Sequence, residues 1–265
     1  MAEVIGSEAP GRRGWQRRRD LYLTLLERQY RLRRQRSFLG FVWPLIAPLV
    51  LLALYTFVFT SVFEVPVRDY PPYLFLGLIP WAFLTTSLNS ALQSISVEAE
   101  LLRRAKFPIE LLPLTVVTVN FVSLAVLLAG FITWKGVTGG LQVALLPLLA
   151  LPLLSLVLLV SSGALLVSLV DVYNRDLRLV LNNILTVWFF LIPIVYRPTM
   201  VGPTLRSLRS VDPMNMIVGQ MRDLLYYDHF SRPLNSALML GVCAVIFAVC
   251  LGVFRRVAPL LPRDV

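Results

Sequence analysis

His229 is the chain's one histidine, and Asp228 and Asp223 stand near it. A histidine between carboxylates could relay a proton or help hold a metal. The setting argues instead for a solvated loop. The other acidic residues are scattered, with no paired carboxylates and no cluster at metal-ligand spacing. Membrane-bound glycosyl or phosphoryl transferases need such groups at the membrane edge. Cys243 and Cys250 lie seven residues apart in one apolar stretch. On a helix that is a rise of about 10.5 Å, too far for a disulfide, and both read as small hydrophobes. No G-x-x-x-x-G-K-[ST] phosphate loop occurs, so any uphill transport needs an ATPase on another chain.

What recurs in the apolar stretches is neutral. Asn89, Gln93, Asn120, Asn182, Asn183 and Thr186 supply hydrogen-bonding groups without charge. Trp43, Phe59, Trp81, Trp188, Phe189 and Tyr196 supply flat rings. Amides meet hydroxyls and rings cover the apolar faces of sugars, so these residues are candidates to line a route for a glycan. Interfacial aromatic belts and polar contacts between helices use the same residue types. Ionisable relays and inverted repeats, on which ion-coupled carriers depend, are not evident, which disfavours coupling to an ion gradient.

The elements that would position these groups are membrane helices. Of 265 residues, 57% are hydrophobic and 15% charged, against about 45–50% and 25% in soluble domains; the mean hydropathy is +0.73. Six runs approach the roughly 20 residues needed to cross a bilayer: 38–63, 73–96, 110–134, 141–170, 177–196 and 235–254. The fourth carries Pro147 and Pro152 and is expected to tilt or kink. Nothing before the first run reads as a cleavable signal peptide. With the N-terminus inside and six alternating spans, the inside segments hold ten, three, two and three basic residues, the outside ones one, one and five. The bias places both termini in the cytoplasm; the five arginines of 197–234 are its weak point, softened by that loop's length.

The fold expected is therefore an all-α membrane protein with six transmembrane helices. Residues 1–37 form a cytoplasmic segment in which 20–37 is an amphipathic interface helix, its arginines turned to anionic lipid; no soluble aromatic module follows, which disfavours nucleic acid. Residues 38–265 form the transmembrane domain. Within it, 97–107 is a short charged helix, with Glu100 and Arg104 at i,i+4 spacing, and suits contact with a partner protein. Asp176 favours the dipole at the start of the fifth span. Asp212-Pro213 starts a helix in which Met214, Ile217, Val218, Met221, Leu224 and Leu225 keep helical spacing. From 214 to 227 it reaches about 21 Å, too short to span, and reads as a re-entrant outer helix. A seventh full span is the alternative.

The ordered stretches Ser37-Phe-Leu-Gly-Phe-Val-Trp-Pro-Leu-Ile-Ala-Pro48, Gly77-Leu-Ile-Pro-Trp-Ala-Phe83, Leu102-Arg-Arg-Ala-Lys-Phe-Pro-Ile-Glu-Leu-Leu-Pro113, Tyr173-Asn-Arg-Asp-Leu177, Pro193-Ile-Val-Tyr196, Asp212-Pro-Met-Asn215 and Met221-Arg-Asp-Leu224 resemble the permease subunit of type-2 ABC exporters. The likeness is greatest to those exporting lipid-linked polysaccharides such as O-antigen, teichoic acid or cell-wall galactan, and runs from about Asp20 to Tyr227. It implies a multi-pass protein of the bacterial cytoplasmic membrane, working as a homodimer with two ATPase subunits that bind ATP and Mg. It implies an interface helix at 20–37 and a coupling helix at 97–107; Glu100, Arg103, Arg104, Lys106, Arg175 and Asp176 are the ATPase-contact candidates. It implies first and fifth spans along the substrate route, where Trp43, Phe59, Trp188 and Tyr196 are the ring-bearing candidates and Trp81 and Phe189 join them as route residues, and outer gate helices in 197–234, with Met214, Ile217 and Met221. Asn174 stands where relatives often have an aromatic residue. Rival readings are a type-2 permease for a small hydrophobic drug or lipid, a multispan membrane enzyme, and a passive channel.

Overall fold

A computed structural model describes residues 14–36, 39–61, 70–98, 108–173, 176–196, 212–230 and 233–258. Among the described residues the structure is all helical. The α-helices are α1 (Gly14–Arg36), α2 (Leu39–Ser61), α3 (Tyr70–Leu92), α4 (Leu111–Val137), α5 (Ala150–Tyr173), α6 (Leu177–Leu191), α7 (Pro213–Leu225) and α8 (Pro233–Val257).

Among the described residues, five stretches are long and apolar enough to cross a membrane: Val42–Ser61, Tyr70–Leu92, Leu111–Val137, Val143–Val172 and Pro233–Val257. The fifth expected run, 177–196, is helical only as α6, whose 15 residues rise about 22 Å. Pro193 explains the early stop. It has no N–H to continue the helix, and it forces Ile192 into extended backbone at ψ 136°. The kink expected in the fourth run is a change of helix type. Val143–Leu149, with Pro147 inside, is 3-10, and Pro152 falls in the first turn of α5, where a missing N–H costs nothing.

α3 forms the centre. It is the most buried of the long helices, with a half-buried stripe through Ala82, Thr85, Thr86, Asn89 and Ser90, and α2, α4, α5, α6 and α7 lie around it. α8 lies along α5. The helices alternate in direction between two ends. At one end, Ile95, Leu165, Leu169, Phe254 and Ala258 form a small core, and Arg255 Nε on α8 reaches Glu110 Oε1 just before α4 at 3.0 Å. α1 joins α4 near this end, where the Tyr22 hydroxyl bonds Thr118 Oγ1. We call this the proximal end. At the distal end lie the start of α3, the ends of α4 and α6, and α7. α7 does not cross: Asp212 at its start meets Trp188 near the distal end of α6, and Leu225 at its finish meets Lys135 near the distal end of α4.

Candidate functional site

The backbone between Ile192 and Tyr196 is irregular and buried. Irregular backbone at membrane depth survives only where protein satisfies its polar groups. Here side chains from two other helices do so. Arg222 of α7 donates from Nη1 to Pro193 O at 2.7 Å and from Nη2 to Ile194 O at 2.9 Å. The Tyr70 hydroxyl donates to Val195 O at 2.8 Å, and the Tyr73 hydroxyl to Tyr196 O at 3.0 Å. Four consecutive carbonyls are thus each served. The Tyr196 hydroxyl in turn bonds back to Phe190 O at 2.7 Å, within the last turn of α6.

Arg222 is 3% exposed. Its Nε donates to Tyr73 O at 3.1 Å and its Nη1 also bonds the Tyr73 hydroxyl at 3.0 Å. The guanidinium carbon lies 3.7 Å from the centre of the Tyr73 ring, a cation–π contact. The cation also sits against the carbonyl end of α6, which the helix dipole favours. Gly77, one turn along α3 from Tyr73, makes the approach possible. A Cβ there would stand 2.6 Å from Arg222 Nη2 and 3.1 Å from Ile194 Cγ2.

A second cation closes the other end of α7. Lys135 Nζ, at the end of α4, donates to Leu225 O at 2.7 Å and to Asp228 Oδ1 at 2.5 Å. Asp228 has φ 54°, which aspartate tolerates better than most residues. The loop around His229 is therefore not simply solvated: its Asp228 carboxylate belongs to Lys135, while His229 is exposed. At the start of α7, Asp212 Oδ1 caps Met214 N at 2.9 Å and Oδ2 accepts from Trp188 Nε1 at 2.9 Å. Trp188→Phe is expected to lower stability by about 1 kcal/mol, the value of one such bond, while Asp212→Ala loses the cap as well and costs about twice that. Thermal midpoints of the two purified variants check the ratio.

The ring candidates divide. Phe59, Trp81, Trp188 and Phe189 gather into one cluster between α2, α3 and α6. Trp81 meets Trp188 edge-on at 5.7 Å and Phe189 at 5.7 Å; Tyr55 stacks on Phe189 at 5.9 Å, and Phe59 lies 6.1 Å from Tyr70. Trp81 and Phe189 are buried in this cluster. Tyr196 is half-buried in the distal polar cluster. Trp43 stands apart, 61% exposed on α2 with Val50, Leu54 and Phe57 along the same stripe. Met214, Ile217 and Met221 are fully buried in the main core. Asp176 is exposed at the start of α6. Glu100, Arg103, Arg104, Lys106 and Arg175 lie outside the described residues, as does most of the expected helix 97–107.

Two exposed faces contrast. Along α8 the exposed large residues are Leu234, Leu238, Val242, Val245, Val249 and Val253, all aliphatic as lipid requires. Along α6 the exposed face mixes Leu179, Val180, Ile184 and Val187 with Asn182, Asn183 and Thr186. Amides in that position mark a face turned toward protein or a polar path. Arg222, Tyr73, Gly77 and Lys135 were not among the sequence candidates. A signal existed for Arg222, which occupies the apolar stripe Val218, Arg222, Leu225 at helical spacing.

The profile of the ABC-2 type transporter family matches residues 20–226. The chain is similar to the O-antigen export system permease protein RfbA of Myxococcus xanthus, with 29% identity over 86% of this chain and 88% of that protein. It is also similar to a protein of the same name from Klebsiella pneumoniae, with 25% identity over 84% of this chain and 88% of that protein.

Proposed function

Because this chain belongs to the ABC-2 type transporter family, we propose that it is the membrane subunit of an ATP-driven exporter of a lipid-linked polysaccharide. It is a transport subunit and not an enzyme by itself. The observation that carries the glycan reading is the likeness over more than four-fifths of the chain to permeases named for O-antigen export.

Two copies of the chain work with two ATPase subunits, which bind ATP and Mg. The proximal end faces the cytoplasm and carries both termini. Six helices cross the bilayer, α6 completing its passage through the buried stretch 192–196, and α7 is a re-entrant outer element. The division at residue 38 between a cytoplasmic segment and the transmembrane domain follows. The exposed faces of α2 and α6 border the route between the copies. The amides of Asn182 and Asn183 support this, since lipid would not favour them, and Trp43 offers an exposed ring on α2. Cytoplasmic residues 97–107, with Glu100, Arg103, Arg104 and Lys106, and the turn at Arg175 and Asp176, receive the movement of the ATPase. The stripe of Met214, Ile217 and Met221, buried in the main core, seats α7 on the outer side.

The test is export of glycan to the cell surface by this chain expressed with its ATPase subunit. The pair Glu100→Arg and Arg104→Glu should cut export about tenfold, the scale of a typical coupling energy, with the transporter still assembled. Unchanged export by the double reversal would refute the contact. Transport or chemical modification of the substrate by the purified chain without an ATPase would refute the function.

A further inference from the structure

The outer helix α7 is fastened at its start, middle and end, each time to a different neighbour. Asp212 ties its start to Trp188 of α6. Arg222 ties its middle to Tyr73 of α3 and to the carbonyls of Pro193 and Ile194. Lys135 of α4 ties its last carbonyl and the loop beyond it. Its apolar stripe, Met214, Ile217 and Met221, has no exposed surface left.

A helix that swings as a gate needs a free end or a face that can exchange partners. α7 has neither. Swinging it away from α3 and the 193–194 turn would strip Arg222 of two hydrogen bonds to each and leave a cation and backbone carbonyls unserved in an apolar interior. By contrast α2 is the least buried of the five long apolar stretches, with only Pro48 buried between Val42 and Ser61 where most of α3 is buried, and it carries Pro44 and Pro48 within the helix.

We propose that α7 is a strut and not a gate. It travels with α3, the stretch 192–196 and the distal end of α4 as one rigid body throughout the transport cycle, and Arg222 and Lys135 are the positioning residues that hold it there. Opening at the distal end falls to α2 and to movement of whole protomers. The proposal rests on the exporter reading above.

The test replaces the Lys135–Asp228 ion pair by a reversible covalent bridge. Lys135→Cys and Asp228→Cys are combined in a chain carrying Cys243→Ala and Cys250→Ala, within the complete transporter. A short bifunctional methanethiosulfonate joins them. Glycan export and ATP hydrolysis are followed with the bridge in place and again after reduction. A strut predicts that the bridged transporter exports within about twofold of its Lys135/Asp228 parent, with the same export per ATP hydrolysed. Export that stops on bridging and returns on reduction overturns the proposal. If the cysteine pair is inactive in both states, spin labels at the exposed positions Val137 and Tyr227 decide in a chain that keeps Lys135 and Asp228. A label separation that changes by no more than about 2 Å between the nucleotide-free and ATP-trapped states supports the strut, and a change of one helical turn, about 5 Å, overturns it. A parent that exports no glycan at all would instead count against the exporter reading.

Discussion

Arg222→Met should lower the thermal midpoint of the purified chain by roughly 10 °C, the largest loss expected from any single arginine among the described residues. Methionine keeps the length of the side chain and discards its donors. Pro193 O and Ile194 O would lose their partners, and Tyr73 would lose its bond from Nη1 and its cation. Exchanging a whole buried ionic group for apolar residues is often harmless, but only when both partners leave together. Backbone carbonyls cannot leave. The loss therefore resembles breaking a buried pair, about 3–5 kcal/mol, and each kcal/mol moves the midpoint of a chain somewhat shorter than this one by about 2–4 °C. Arg222→Lys should recover part of the loss, because an ammonium cannot span acceptors on both α3 and the 193–194 turn. Arg19→Met, at an exposed site on α1, should change little, within about 0.5 kcal/mol. Cys243 and Cys250 are free and buried, so a maleimide that fluoresces on reaction with thiols reads the unfolding directly. An Arg222→Met midpoint equal to that of the parent would mean that water serves these carbonyls and that the site is not sealed.

The positions of most helices were legible because hydropathy and length carry them. The runs expected at 110–134 and 235–254 appear as Leu111–Val137 and Pro233–Val257. Asp212-Pro213 announced the start of α7, and its aspartate does cap Met214. The end of α6 was less legible. Residues 192–196 are apolar and read as helix; only Pro193 warned otherwise, and a proline alone leaves open whether a helix stops or bends. The polar cluster around Arg222 was not legible at all as a cluster. Its parts come from residues 70–77, 193–196 and 222, and no local pattern states that a tyrosine will meet an arginine roughly 150 positions away. The ring cluster was half legible: the residue types were found, but types do not say which ring turns inward, and Trp81 turned in while Trp43 stayed out.

The buried cations also bear on the charge asymmetry. Five arginines in 197–234 weakened the expectation of a cytoplasmic N-terminus. One of them, Arg222, is consumed inside the protein, and Lys135, the basic residue of the preceding distal segment, is held by Asp228 and Leu225. Neither is a free loop charge of the kind that steers insertion. With both set aside, the segments expected outside keep one, none and four basic residues, and the charge bias toward a cytoplasmic N-terminus grows.

Gly77→Ala should destabilise the chain by about 1–3 kcal/mol, although alanine is by about 1 kcal/mol the better helix former. The new methyl would lie 2.6 Å from Arg222 Nη2, 3.1 Å from Ile194 Cγ2 and 3.4 Å from Ile194 Cα. The first of these atoms ends a long side chain and would ordinarily move aside. Here it is bonded to Ile194 O, so it can retreat only by giving up that carbonyl or by shifting the turn that carries it. Removing the guanidinium should therefore remove most of the penalty. In an Arg222→Met chain the methionine tip is free to yield, the added methyl fills part of the space left behind, and the gain in helix propensity offsets the residual contact with Ile194. The same substitution then becomes nearly neutral. The double-mutant cycle should show a coupling of roughly 2 kcal/mol, well above the few tenths expected of independent sites. Thermal midpoints of the four chains measure it. Additive losses would mean that Gly77 is required for the close approach of Ile194 alone, and that the arginine is not what the glycine makes room for.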